Sequence, residues 1–348
     1  MLRGLEKEKM PFDNIAGHAK EKSILWNSIQ NGRVAHAYLF AGPDGVGKRA
    51  LAREFAKALN CSGTGTLAGF GAGMPCGECT DCHAIDSLSH QSVLELQPTD
   101  KDGTAAPDGL IRIAQVRELQ ETLRFKVERG SKVAIVEAAD KLMPAAANAF
   151  LKTLEEPPPD SVIILVTSKP SEMLPTILSR CQRVSFRPLP DAVVRDYLVS
   201  ERGMAVDDAG AVARLGAGSL GRALAFSDSG IAQVRKAVME KLRGLRRDDT
   251  FAALKLAEEL SKREDLEDVL EFLKTVCRDR LVSLEGAPEL AVNSDLGALS
   301  AGVRSSALMD SFSMIEEARY NTTAPRYVNR QLAMEALLLG LAASGALS

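Results

Sequence analysis

Short apolar runs, each followed by a polar or glycine-rich loop and then by a helical pattern, alternate along the first half of the chain. The runs that predict strands lie at 37–41, 92–96, 132–136, 162–166 and 184–186. Helical patterns lie at 49–59 and 145–155, and around Val116, Leu119 and Leu123. This alternation predicts an α/β domain with a parallel sheet, whose ligands bind at the carboxyl edge of the strands.

Beyond Pro188 the pattern changes to helices alone. Three short helical patterns fill 191–228, and longer amphipathic helices follow from 230 onward. Their apolar faces include Ala253, Leu256, Ala257 and Leu260, and later Met334, Leu337, Leu338 and Leu341. The predicted organisation is therefore a nucleotide-binding domain at 1–188, a small helical lid at 189–229 and a helical bundle at 230–348.

Composition limits the partners and the location of the chain. The 348 residues carry a net charge of −3, so any contact with DNA must be local or made through other proteins. The first nine residues mix charges and lack the apolar core of a signal peptide. No uninterrupted apolar run is long enough to cross a bilayer. We expect a cytoplasmic protein that does not bind a membrane.

The residues 42–48, Gly-Pro-Asp-Gly-Val-Gly-Lys, form a complete phosphate-binding loop. In such loops backbone N–H groups and the lysine hold phosphates, and a following Ser or Thr holds Mg²⁺. Here the following residue is Arg49, which offers no oxygen to a metal ion. The predicted nucleotide-binding residues at this loop are Gly42, Gly45, Gly47, Lys48 and Arg49.

The acids that normally complete such a site are altered too. The run at 132–136 is followed by Glu137 and Ala138, where a hydrolysing enzyme usually has two acids, one for the metal and one to orient water. Ala138 cannot polarise water, and Asp140 lies too far along the chain to replace it. The sequence therefore argues against efficient hydrolysis and against Mg²⁺ binding. Whether the loop still binds ATP or ADP stays open, because Arg49 could either fill the metal space or pair with a phosphate. A hydrolysing ATPase with divergent residues is the alternative.

Four of the six cysteines fall within 61–82, with two residues between each of the last three. They are Cys61, Cys76, Cys79 and Cys82. Four thiolates at this spacing predict a structural zinc site in a module inserted into the first domain, and disulfides are the weaker alternative in a reducing compartment. His83 is expected to be a bystander, and Cys181 and Cys277 stand alone.

Five segments resemble one protein family over nearly the whole chain. They are 12–18 (FDNIAGH), 36–43 (HAYLFAGP), 148–158 (NAFLKTLEEPP), 174–182 (LPTILSRCQ) and 329–335 (NRQLAME). Together they resemble the AAA+ clamp-loader subunits of bacterial DNA polymerase III, most specifically the delta prime branch. The resemblance implies an AAA+ P-loop domain with a zinc insert, a helical lid and a C-terminal collar domain through which subunits assemble.

The resemblance also implies roles for three residues that spacing alone does not assign. Arg180, in the Ser-Arg-Cys motif, would act as an arginine finger that reaches the γ-phosphate of a neighbouring subunit's ATP. Thr167 matches the sensor 1 position, and Arg222 matches the sensor 2 position in the lid. Without the resemblance, a lone arginine such as Arg180 is better interpreted as a surface residue paired with a nearby carboxylate.

The departures from the motif distinguish the branches of the family. A gamma/tau motor is expected to have Gly-Lys-Thr and an Asp-Glu pair, whereas delta is expected to lack the cysteines and the finger. The implied partners are gamma/tau and delta subunits in a hetero-pentamer, the sliding clamp, and primed DNA through the complex. The implied complex serves the polymerase, although this chain has no polymerase motif.

Two other classes stay open at this stage. An active gamma/tau-like motor would show Mg²⁺-dependent ATP turnover by this chain alone. A zinc-dependent nucleic-acid binder would bind DNA in a salt-sensitive way, but the segment 61–82 contains no Lys or Arg to contact phosphates.

Overall fold

The computed structural model describes residues 12–63, 74–125, 129–228, 231–245, 249–293, 303–323 and 329–345. The chain divides into two compact units, Met1–Leu189 and Pro190–Ser348. The predicted boundary between lid and collar at 229/230 falls inside the second unit and stays a prediction. The first nine residues, on which the expectation about a signal peptide rests, lie outside the described residues.

The first unit is built on a five-stranded parallel sheet, as the alternation of apolar runs predicts. Its strands are β1 (Ala37–Ala41), β2 (Val93–Leu96), β3 (Lys132–Val136), β4 (Ser161–Thr167) and β5 (Gln182–Ser185). Their order across the sheet is β2-β3-β4-β1-β5, and every neighbouring pair is parallel. The carboxyl ends of β1, β3 and β4 therefore lie together at one edge.

Helices cover both faces of this sheet. They are α1 (Ala19–Gln30), α2 (Lys48–Asn60), α3 (Thr80–Asp86), α4 (Ile113–Arg124), α5 (Pro144–Glu155) and α6 (Pro175–Leu178). Tyr38 and Phe40 of β1 belong to one hydrophobic core with Phe55, while the alternate residue Leu39 belongs to another with Phe150. Because β1, β3 and β4 are buried on both faces, their apolar residues follow one another in runs instead of alternating with polar ones.

The sequence patterns did not predict α1 and α3. Much of α1 is polar, and only Leu25, Ser28 and Ile29 are buried in it. The helix α3 is seven residues long and lies inside the cysteine module, where its N-cap is Cys79. Neither helix has a broad apolar face, so both depend on tertiary packing, and α3 is also capped by the Cys79 side chain.

The second unit is helical throughout its described residues. Its helices are α7 (Asp191–Arg202), α8 (Val206–Gly216), α9 (Leu220–Asp228), α10 (Ile231–Gly244), α11 (Thr250–Ser261), α12 (Leu266–Leu284), α13 (Ser305–Thr323) and α14 (Arg330–Ser344). The apolar faces predicted for α11 and α14 are buried. The predicted fold class, a parallel α/β domain followed by helices, is confirmed. No helix among the described residues is long and apolar enough to span a membrane.

Candidate nucleotide and metal sites

The phosphate loop connects the end of β1 to the start of α2 at the carboxyl edge of the sheet. The Gly42 N–H donates to the Thr167 carbonyl (3.2 Å), and a Cβ at Gly42 would lie 2.4 Å from the Phe186 carbonyl oxygen. Gly47 has φ 107°, a left-handed conformation that favours glycine, and it directly precedes α2. The N-terminus of α2 thus faces the loop, which is the arrangement that binds phosphate groups.

Lys48 is buried and folds back on the loop. Its Nζ donates to the carbonyl oxygens of Gly42 and Pro43, each at 2.6 Å, and lies 3.9 Å from Asp44. Burial lowers the pKa of Lys48, although the charges of Asp44 and Asp140 oppose this shift. A phosphate group would therefore replace backbone acceptors that Lys48 already uses.

Arg49 pairs with two acids at the ends of neighbouring strands. Its Nε and Nη2 donate to Glu95 Oε2 at 3.2 and 2.9 Å, and its Nε also forms a close ion pair with Glu137. One helical turn further along α2, Arg53 donates to both carboxylate oxygens of Glu95, at 2.5 and 2.8 Å. We call Arg49, Arg53, Glu95 and Glu137 the charge cluster.

The two acids of the charge cluster differ in their proton affinity. Burial favours the neutral form of both, but hydrogen bonds and charges from Arg53 and Arg49 outweigh burial and lower the pKa of Glu95. At Glu137 burial dominates, the negative charge of Glu95 adds to it, and Arg49 only partly opposes them, so the pKa of Glu137 is raised to about 7. Glu95 is therefore the fixed anion of the cluster.

The predicted nucleotide site does not fit a magnesium ion. Mg²⁺ requires an octahedral set of oxygen ligands. The side chain at residue 49 provides no oxygen, and Glu137 Oε1 contacts the Arg49 guanidinium instead of facing an open site. The sequence argues against Mg²⁺ binding, and the structure gives the reason. Arg49 and Glu137, at the two positions that would hold the metal, form an ion pair with each other.

Thr167 and Asp140 form a separate contact at the same edge. Thr167 Oγ1 donates to Asp140 Oδ1 (2.5 Å) and accepts from the Lys169 N–H (2.9 Å). Ala138, where a hydrolysing enzyme usually has its second acid, lies in a left-handed conformation (φ 45°). Asp140, the first acid after that position, is thus engaged by Thr167, the residue predicted as sensor 1.

The four cysteines predicted as metal ligands converge. Their Sγ atoms all lie within 4.8 Å of one another, and Cys61 Sγ is 3.5 Å from Cys76 Sγ and 3.8 Å from Cys79 Sγ. A tetrahedral zinc ion with Zn–S bonds of about 2.3 Å separates its sulfurs by about 3.8 Å. The donor set and its spacing therefore fit zinc.

Backbone donors support the same sulfur atoms. The N–H of Cys79 donates to Cys76 Sγ (3.3 Å), and the N–H of Cys82 donates to Cys79 Sγ (3.4 Å). At Cys79 burial would raise the pKa, but hydrogen bonds from Ser62 and Cys82 outweigh it and lower the pKa to about 5. Such contacts orient thiolates for a metal.

Arg180 lies apart from the phosphate loop in sequence, between α6 and β5. Its Nη2 pairs with Glu155 Oε1 (2.7 Å), and its Nη1 donates to the Thr176 carbonyl (2.9 Å). The side chains of Arg180 and Glu155 are 36% and 50% exposed. This contact is a solvent-accessible ion pair, which holds an arginine only weakly.

Arg222 belongs to the second unit. It lies on α9, and its Nη2 donates to Glu271 Oε1 of α12 (3.0 Å). Its assignment as sensor 2 stays a prediction.

The sequence analysis did not identify three residues that complete these contacts: Glu95, Arg53 and Glu155. Two features of the sequence could have identified Glu95 and Arg53. Glu95 interrupts an otherwise apolar strand, and Arg49 and Arg53 lie four residues apart, on one face of α2. A charged residue in a strand of a parallel sheet needs a partner of opposite charge, and the two arginines provide it.

Two family models match the chain. One, described as DNA polymerase III, delta subunit, matches residues 17–190, and another, described as its C-terminal part, matches residues 230–342. The first covers the whole sheet, the cysteine module and Arg180. The match thus includes every predicted site residue except Arg222.

Several curated proteins are similar in sequence. DNA polymerase III subunit delta' of Bacillus subtilis is 37% identical over 180 residues, which are 51% of this chain and 50% of that protein. The corresponding protein of Pseudomonas aeruginosa is 40% identical over 177 residues, 49% of each chain. Subunit tau/gamma of Haemophilus influenzae is 31% identical over 251 residues, 69% of this chain and 34% of that protein. The chain therefore spans about half the length, or less, of the curated relatives it matches.

Proposed function

The chain belongs to the delta prime family of DNA polymerase III clamp-loader subunits, and on that premise we propose that it activates ATP hydrolysis in a neighbouring subunit without hydrolysing ATP itself. The neighbour is a gamma/tau subunit in a hetero-pentamer that also contains delta. The assembly loads the sliding clamp onto primed DNA during replication in the cytoplasm. In this proposal Arg180 provides the catalytic cation to the neighbour's active site.

The observation that carries the proposal is the setting of Arg180. Its side chain is 36% exposed, and its guanidinium is paired with a surface carboxylate, Glu155, that a phosphate group can outcompete. An arginine that acts across a subunit boundary needs this accessibility and a constant positive charge. The charge cluster adds support, because it gives the chain's own loop an arginine where a hydrolysing enzyme binds Mg²⁺.

The cysteine cluster has a structural role in this proposal. Zinc bound by Cys61, Cys76, Cys79 and Cys82 would join the end of α2 to the start of α3 and fix the fold of the insert. Four cysteine ligands would fill the coordination sphere of zinc. They would leave no position for the water molecule that a catalytic zinc site binds.

The test compares wild type and Arg180→Ala in a loader reconstituted with its gamma/tau and delta partners. DNA- and clamp-stimulated ATP turnover is measured. The substitution should reduce turnover on the order of a thousandfold at the active site that Arg180 serves, and less in total if other sites continue. Assembly, followed by gel filtration, should be unchanged.

Arg183→Ala is the matched control, because Arg183 is exposed on β5 only three residues away. It should leave turnover within about twofold of wild type, as expected for a surface substitution without a functional contact. Equal turnover for wild type and Arg180→Ala in an intact loader would show that Arg180 is not a finger.

An active gamma/tau-like motor is the second candidate. The intact glycine and lysine positions of the loop and the similarity to a tau/gamma subunit favour it. It requires Mg²⁺-dependent turnover by this chain alone, which the proposed function excludes.

A further inference from the structure

The residue after the loop lysine and the acid at the end of the third strand normally hold the nucleotide's metal ion between them. In this chain those positions are Arg49 and Glu137, and their side chains form an ion pair. The contact joins α2 to the end of β3 at the carboxyl edge of the sheet. A positive charge that belongs to the chain is therefore present where the metal would be.

The charge cluster holds Arg49 in this position. Glu95, whose side chain is only 8% exposed, accepts two hydrogen bonds from Arg49 and two from Arg53. Glu137, whose side chain is 18% exposed, directly follows β3 and contacts Arg49 from there. The cluster pairs two guanidinium groups with two carboxyl groups, so a divalent cation entering between them would have to displace an arginine.

Arg49 also keeps donors for a further anion. Its contacts with Glu95 and Glu137 use Nε and Nη2, and among the described residues its Nη1 has no hydrogen-bond or ion-pair partner. The side chain is 39% exposed and directly follows Lys48 at the N-terminus of α2. Guanidinium N–H groups, a helix N-terminus and a lysine together match the chemistry of a phosphate group.

We infer that Arg49 is the built-in cation of this loop, and that the loop binds nucleoside di- or triphosphates in their metal-free form. Glu95 and Glu137 act as positioning residues that hold the guanidinium where Mg²⁺ would otherwise lie. The inference rests on the non-hydrolysing half of the proposed function and is independent of the role of Arg180.

The test is calorimetric titration of the full-length protein with ATP and with ADP, once in EDTA and once with Mg²⁺. For wild type the affinity in EDTA should be equal to that in Mg²⁺ within about threefold, or higher. Arg49→Thr restores the usual hydroxyl and removes the cation. It should weaken binding in EDTA at least about tenfold, by analogy with the loss of a charged hydrogen bond, and make binding depend on Mg²⁺.

Two further variants control the interpretation. Glu118→Ala changes an exposed acid of α4 that lies in the same cleft but outside the charge cluster, so it should keep the metal-independent pattern. Arg49→Lys keeps a positive charge and should retain most of the affinity in EDTA. Thermal melting of each variant shows whether it is folded, and Arg49→Lys tests the charge even if Arg49→Thr is unstable.

Three results would overturn the inference. The first is wild-type binding that EDTA weakens tenfold or more. The second is no binding of ATP or ADP at millimolar concentration under either condition. The third is folded Arg49→Thr that binds like wild type. None of these results would affect the test of Arg180 in the reconstituted loader, so failure of the inference and failure of the proposed function can be distinguished.

Discussion

The first unit contains two clusters of candidate metal ligands that differ in how their charge is balanced. At the cysteine cluster four sulfurs lie within 4.8 Å of one another, and their hydrogen bonds come from neutral donors. At the charge cluster each carboxylate faces a guanidinium of α2. The charge cluster therefore contains its own cations, whereas the contacts of the four sulfurs include only neutral donors.

Because of this difference, we expect a metal ion at the cysteine cluster and none at the charge cluster. Several thiolates held together repel one another, and a metal ion removes that repulsion. A buried carboxylate that has an arginine partner gains little from a metal and would lose its existing hydrogen bonds to bind one. The presence of candidate ligands is thus a weaker guide to a metal site than the charge that surrounds them.

The largest expected effect follows from removal of the metal at the cysteine cluster. Cys82→Ser removes a buried ligand, and it should abolish the bound zinc and lower the unfolding temperature by more than about 10 °C, because structural zinc contributes directly to folding. Metal analysis and thermal melting measure both quantities. Cys181→Ser is the control, since Cys181 lies outside the cluster, and it should retain one zinc ion per chain. Equal zinc content in Cys82→Ser and wild type would contradict this prediction.

An intermediate effect is expected at the charge cluster. Glu95→Ala leaves Arg49 and Arg53 without their shared anion, and it should lower the free energy of unfolding by about 2–4 kcal/mol. Urea denaturation measures this loss. Glu118 is an exposed acid of α4 that lines the same cleft as Glu95, and Glu118→Ala should change stability by less than about 0.5 kcal/mol. Similar losses for the two variants would show that the charge cluster does not hold the sheet edge together.

The smallest effect concerns the pH dependence of the same cluster. The pKa of Glu137 is raised to about 7, so its contribution to stability is complete below its ordinary pKa and is lost as the pH rises through about 7. The free energy of unfolding of wild type should therefore be lower at pH 8 than at pH 5 by on the order of 1 kcal/mol, after allowance for solvent screening. Glu137→Gln should reduce this loss. An unchanged pH dependence in the variant would mean that Glu137 titrates normally.

The sequence predicted the framework of the first unit better than its charge cluster. The runs at 37–41 and 132–136 match β1 and β3 residue for residue, because strands buried on both faces leave a continuous apolar signal. The run at 92–96 also predicted β2, but its acid, Glu95, had no visible partner. That partner, Arg49, is 46 residues away in sequence.

The phosphate loop shows the same limit of prediction from sequence. Its glycines and Lys48 are recognisable because they form a contiguous local motif. The sequence left open whether Arg49 fills the metal position or pairs with a phosphate. Only the approach of α2 to the ends of β2 and β3 shows that Arg49 pairs with Glu95 and Glu137. Pairing of this kind depends on tertiary structure, so no local pattern could predict it.

The most direct test of the account is ATP turnover by the isolated chain in saturating Mg²⁺, compared with Lys48→Ala. We expect wild type to show no turnover above that of Lys48→Ala, because Arg49 and Ala138 stand where the metal ligand and the water-orienting acid are needed. Mg²⁺-dependent turnover by wild type that Lys48→Ala abolishes would contradict the account and identify the chain as an active motor.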